Sequence, residues 1–108
     1  MSVAGPISGV PVAIAQMAAP EFGVPPRSVF DISPRIRRTR PEALARETVI
    51  YLTHVGAGIP LRLLQGLMWS DRRDMRRAIQ RVETARDDAG FDALLARLEA
   101  RIEEEFGA

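Results

Sequence analysis

The chain has 108 residues, a formal net charge of +1, 15 basic side chains that are all arginine, one histidine and no cysteine. That length leaves room for one small domain with a modest core. The missing thiols exclude disulfides, cysteine nucleophiles and thiolate metal sites together, and fit a reducing, cytoplasmic setting.

The small total charge conceals a polarity along the sequence. Residues 1–34 carry −1, residues 35–81 carry +7 from eleven arginines against four acids, and residues 82–108 carry −5. A polyanionic partner would therefore meet the middle segment.

Met1–Gly9 is small, Pro/Gly-containing and poor in apolar surface, so residues 1–10 read as a flexible tail ahead of a single domain over 11–108. Val10–Ala19 is as apolar as a signal-peptide core, but it has no positive n-region, is broken by prolines and is too short to span a bilayer. No membrane role is expected. Pro11–Phe22 carries Val12, Ala13, Ile14, Met17 and Ala18, enough for a helix of two or three turns broken by Pro20, and Gly23–Pro26 turns the chain. Ser28–Ile32 is either an apolar anchor that fixes this helix to the body or an irregular connector.

Arg35, Arg37, Arg38 and Arg40 form a basic loop just ahead of Pro41. It reads either as a solvated linker or as an arm that grips phosphate. Pro41 then starts a helix whose inward stripe is Leu44, Thr48, Tyr51, Leu52 and Val55, ending at Gly56 and Gly58.

Ile59–Val82 is the stretch around which the chain is organised. Pro60 opens a short helix with Leu61, Leu64, Leu67 and Met68 at helical spacing, interrupted at Trp69 and Ser70. Met68 and Trp69 read as core, an exposed tryptophan at the turn being the docking alternative. Asp71 can cap a second helix reaching to about residue 88, with Asp74 at the third position of a capping box. On that helix Met75, Ala78, Ile79 and Val82 share one face, while Arg72, Arg73, Arg76, Arg77, Gln80 and Arg81 spread over the other. A short helix, a turn and a longer cationic helix make a helix-turn-helix, whose second helix can enter the DNA major groove. The competing reading is a plain helical hairpin with a solvated arginine face.

Gly90 breaks the pattern, after which Phe91, Leu94, Leu95, Leu98, Ile102 and Phe106 align on one stripe. Glu103, Glu104 and Glu105 follow where the helix dipole favours cations, which points to fraying or to a partner. An enzyme is not expected. His54 reads as a packing residue near a helix end, no Gly-rich phosphate loop occurs, and nothing implies a cofactor or metal.

Arg38, Leu44–Leu52 (LARETVIYL) and Ser70–Glu83 (SDRRDMRRAIQRVE) together resemble the C-terminal DNA-binding domain, domain IV, of the bacterial replication initiator DnaA. The similarity extends upstream through Glu21–Phe30 and covers residues 12–105; the family's nucleotide-binding domain has no counterpart. The resemblance implies an all-α, Trp-repressor-like helix-turn-helix bundle of about five helices, and a role in replication initiation or its control. It assigns Arg38 to the minor groove, Arg46 to the DNA backbone, Asp71 to the aspartate of the family's GRDHTT signature, Ala78 to a small residue of the recognition helix and Arg81 to a basic one near its end. The signature itself is altered. Trp69 and Ser70 stand ahead of the aspartate with one residue fewer, and Arg72-Arg73-Asp74 replaces His-Thr-Thr.

The expected DNA-binding set is thus Arg35, Arg37, Arg38, Arg46, Asp71, Arg72, Arg73, Arg76, Arg77 and Arg81. The expected partner is double-stranded DNA, with a DnaA-box-like site as one form. The alternative is an interaction module that binds the initiator or its regulatory ATPase.

Overall fold

The computed structural model describes residues 6–31 and 38–107. Among them there is no strand, and five α-helices account for most of the chain: α1 (Pro6–Ala18), α2 (Arg40–Tyr51), α3 (Leu61–Met68), α4 (Arg72–Ala85) and α5 (Ala89–Phe106). Two 3-10 turns, Ala19–Phe22 and Pro26–Phe30, link α1 towards α2, and a π-helical turn, Leu52–Gly56, ends α2.

α1 is already helical at Pro6, the first described residue and inside the expected tail, and Pro11 lies within it. Pro11 removes a single internal hydrogen bond and does not break the helix. The buried positions are Val10, Pro11, Ile14, Ala15, Met17 and Ala18, whereas Val12 faces solvent. Gly23 ends the following 3-10 turn at φ 71, and its N–H returns to the Pro20 carbonyl at 3.0 Å. A left-handed residue is needed there, and glycine supplies it without a Cβ clash. Val29 is fully buried, so the described part of Ser28–Ile32 is the apolar anchor and not a loose connector; Ile32 lies outside the described residues.

α2 is the central helix, packed against α1, both 3-10 turns and α4. A reciprocal capping box starts it: Glu42 N–H donates to Thr39 Oγ1 at 3.2 Å, and Thr39 N–H donates to Glu42 Oε1 at 2.8 Å. Ala45, Thr48, Val49, Tyr51 and Leu52 are buried, while Val55, expected inside, is exposed on the π turn. The wider turn rotates the last residues off the 3.6-residue stripe. His54 Nδ1–H donates to the Ile59 carbonyl at 2.7 Å, and Thr53 Oγ1 donates to the Val49 carbonyl at 2.7 Å, which fixes the exit from α2.

α3 and α4 are joined by Trp69, Ser70 and Asp71. Asp71 caps α4, accepting from Asp74 N–H at 2.8 Å. Asp74 makes no reciprocal bond, so the cap is single-sided. α4 ends at Ala85, earlier than expected, and Asp88 caps α5 by accepting from Phe91 N–H at 2.8 Å. Gly90 sits in the first turn of α5 and does not break it. Leu64, Met68, Met75, Val82, Leu95, Leu98 and Ile102 join Ile14, Val29, Val49 and Leu52 in one core. Burying each large aliphatic side chain contributes about 1.5–3 kcal/mol.

A second device, absent from any sequence motif, ties α4 to α5. Arg86 donates from Nε to Asp92 Oδ1 at 2.6 Å, and from Nη1 to Glu99 Oε2 at 2.9 Å and to Tyr51 OH at 3.2 Å. Its guanidinium carbon also lies 5.9 Å from the Tyr51 ring centroid. The bond to Glu99 first, then those to Asp92 and Tyr51, outweigh the cost of burial and hold the Arg86 pKa above the ordinary arginine value.

Candidate nucleic-acid interface

The face of α4 opposite the core is centred on Arg73, Arg77 and Gln80, with Arg72 and Arg76 on one flank and Arg81 on the other, as 100° per residue requires once Met75, Ala78 and Val82 are buried. Arg72, Arg73, Arg76 and Arg77 are exposed. Among the described residues no carboxylate lies within ion-pair distance of any of these four guanidiniums.

Such a strip is not a stabilising arrangement. Arg72/Arg76, Arg73/Arg77 and Arg77/Arg81 are like-charged pairs four residues apart, each costing the helix about 0.2–0.5 kcal/mol. Asp71 and Asp74 offset part of this at the positive end of the dipole. The remaining guanidiniums are free to bond acceptors outside the chain.

Arg81 is only partly available. Its Nη1 donates to Glu47 Oε2 on α2 at 2.5 Å, with 62% of the arginine side chain still accessible against 20% of the glutamate. This pair ties α4 to α2 as much as it offers a cation to a ligand. Arg38 is exposed, and one Nη2–H donates to the Asp31 carbonyl, which holds the end of the basic loop against the chain that precedes it. Arg35 and Arg37 lie outside the described residues.

Two members of the expected set have other duties. Arg46 is 8% exposed. Its Nη1–H donates to the Val29 carbonyl at 2.6 Å and its Nη2–H to the Met68 carbonyl. Met68 is the last residue of α3, where carbonyls lack intrahelical partners and a cation is favoured. Arg46 is therefore an internal clamp from α2 onto the turn between α3 and α4 and not the DNA contact expected of it: the side chain is buried and bonds two protein carbonyls. Burial, with a smaller contribution from the nearby Arg38, lowers its pKa to about 10, so the group is still charged at neutral pH. Asp71 spends one carboxylate oxygen on its helix cap, which makes it a residue that aims α4 and not a primary ligand group.

Trp69 departs from expectation in the opposite direction. It is 70% exposed, while Met68 beside it is fully buried as anticipated. Its backbone sits at φ 55, ψ 46, and it is the one non-glycine with positive φ among the described residues. A left-handed conformation costs an L-residue about 1–2 kcal/mol, and glycine is the usual occupant at a helix C-terminus. Trp69 and Ser70 form one rim of a concavity of about 340 Å³ between α2 and α4, whose other walls include Arg38, Glu47, Asp74 and Arg81.

Sequence reasoning missed the Arg46 and Arg86 clamps, because both rest on contacts between residues far apart in the chain. The Thr39–Glu42 box was available as the S/T-x-x-E signature. Among the described residues no three carboxylate or histidine side chains converge on a metal-sized site, and no helix is long and apolar enough to cross a membrane. No family model, curated protein or solved structure matches the chain.

Proposed function

We propose that this chain is a duplex-DNA-binding helix-turn-helix protein of the DnaA domain IV kind, with α3 and α4 as the motif and α4 as the recognition helix, acting in or regulating replication initiation. The observation that carries the reading is the α4 face: four arginines, Arg72, Arg73, Arg76 and Arg77, exposed and without a carboxylate partner among the described residues. Further support comes from the rigid mounting of that helix. Asp71 caps its start, Arg46 fixes the turn before it, and Met75, Ala78 and Val82 anchor its underside. A recognition helix has to be presented in one orientation for its side chains to read base edges.

In this reading Arg73 and Arg77 approach the groove floor, Arg72 and Arg76 reach base edges or phosphates, and Arg38 lies on the adjacent backbone or minor groove. Arginine suits each role, since its planar fork binds guanine edges and phosphates with two parallel bonds.

The competing reading is a protein-interaction module for the initiator or its regulatory ATPase. The altered signature, Trp69-Ser70-Asp71-Arg72-Arg73-Asp74, and the exposed acids Glu103, Glu104 and Glu105 at the end of α5 favour it.

A salt series separates the two. If about five arginines neutralise phosphates, duplex affinity falls with a log–log slope of about −4 to −5, at roughly −0.9 per phosphate. A slope near zero, or no duplex binding at low salt, supports the protein-partner reading.

A further inference from the structure

Resting on the duplex-binding reading, we propose that Trp69 is itself a DNA-contacting residue: its indole packs against the sugars and base edges of the duplex that receives the N-terminal end of α4, and so sets how deeply that helix sits. Trp69 stands two residues before the cap of α4. A duplex that admits the start of this helix meets the turn ahead of it.

Three features converge on this residue. Its backbone holds the left-handed conformation that glycine adopts without strain, so the side chain is kept against a local conformational cost. Strain of this kind is a pointer to function when the surroundings hold the residue rigidly. They do so here. The Trp69 and Ser70 amides both return to the Gln65 carbonyl, the Met68 carbonyl is gripped by Arg46, and Asp71 is fixed by its bond to Asp74 N–H. The indole is thus a large, exposed apolar surface carried on a fixed backbone.

The chemistry around it selects the partner. Arg72 and Arg73 follow three and four residues on, and Arg38 and Arg81 share the concavity that Trp69 borders with Asp74 and with Glu47, the partner of Arg81. Guanidiniums still outnumber carboxylates there, and a flat apolar ring beside a net positive charge matches a polyanion that also presents apolar edges. Deoxyribose faces and the thymine methyl are such edges, and apolar contact with the methyl is a recognised element of base readout.

Trp69 is the only tryptophan, so its emission reports this position alone. The full chain is titrated with a short mixed-sequence duplex and with a DnaA-box duplex, following emission and acrylamide quenching, and the titration is repeated by anisotropy on Trp69→Gly and Trp69→Ala. On saturation the indole is expected to lose most of its accessibility to quencher. Trp69→Gly is expected to melt at a higher temperature than the wild type yet bind about tenfold more weakly, a loss of about 1.4 kcal/mol, with an unchanged salt slope because no charge is removed. Trp69→Ala, which keeps the strained backbone, is expected to lose the same affinity without the gain in melting temperature.

An indole fully open to quencher at saturation, or a Trp69→Gly protein that binds as the wild type does, overturns the assignment while leaving duplex binding standing. A lower melting temperature for Trp69→Gly also overturns it, by showing the ring to be structural. If the wild-type chain shows no salt-dependent duplex binding, the reading beneath the assignment fails and the assignment with it.

Discussion

Replacing Arg46 by methionine removes both donors that hold the Val29 and Met68 carbonyls while keeping an unbranched stem that fills the inner part of the same space. Each buried carbonyl left without a partner costs about 1–3 kcal/mol. Loss of the desolvated charge returns part of that, so the net loss comes to about 2–4 kcal/mol, a large share of the 5–15 kcal/mol typical of a small domain. Arg46→Ala should lose more, about 3–5 kcal/mol, because a cavity forms as well. Arg46→Lys keeps the charge but can satisfy only one carbonyl well, and should fall between the wild type and methionine. Urea unfolding followed by far-UV circular dichroism reads all three, and duplex affinity is measured under conditions where each variant is folded. Burial predicts a large drop in midpoint with a salt slope that does not change. A methionine variant as stable as the wild type, with a slope reduced by about one, would show that Arg46 reaches a phosphate and that the clamp is misassigned.

Arg86→Ala should lower stability by about 2 kcal/mol, because it breaks charge-assisted bonds to Asp92 and Glu99 that are themselves partly open to water; a change under about 0.5 kcal/mol in urea unfolding would argue that α5 docks through apolar contacts alone. The Thr48 hydroxyl is buried without a hydrogen-bond partner among the described residues, so Thr48→Val should be neutral or stabilising by up to about 1 kcal/mol, and a clear loss of midpoint would reveal an unseen partner. Gly66 lies in α3 with open space where a Cβ would sit, and Gly66→Ala should raise thermal stability by about 0.5–1 kcal/mol through helix propensity.

The helices were legible in the sequence where apolar periodicity and a cap coincide. Asp71 followed by Met75, Ala78 and Val82 fixed both the start of α4 and its buried face, whereas for α5 Leu95, Leu98 and Ile102 gave the buried face alone, its Asp88 cap having gone unread. Boundaries failed where one residue type has two uses. Proline is favoured in the first turn and penalised in the interior, so Pro11 read as a start although the chain is already helical at Pro6. Gly90, read as a break, is tolerated in the first turn of α5.

The arginine-bearing face of α4 was legible for the same reason as its core, since both follow from one periodicity. What no pattern along the chain shows is which arginine spends its donors internally. Arg46 sits among helix formers like any exposed arginine, and only the meeting of α2, the Pro26–Phe30 turn and the end of α3 reveals its burial. Trp69 shows the reverse failure: a large apolar residue next to Met68 reads as core, but the left-handed turn swings it outward.

The most direct measurement of the central claim is duplex binding by Arg72→Glu/Arg73→Glu at low salt, beside its melting temperature. Carboxylates in the first turn suit the helix dipole, so this protein should melt at or above the wild-type temperature while losing duplex affinity by more than a hundredfold. Affinity retained within about twofold, with the fold intact, would contradict the placement of α4 against DNA; each tenfold corresponds to about 1.4 kcal/mol, so the two outcomes are well separated.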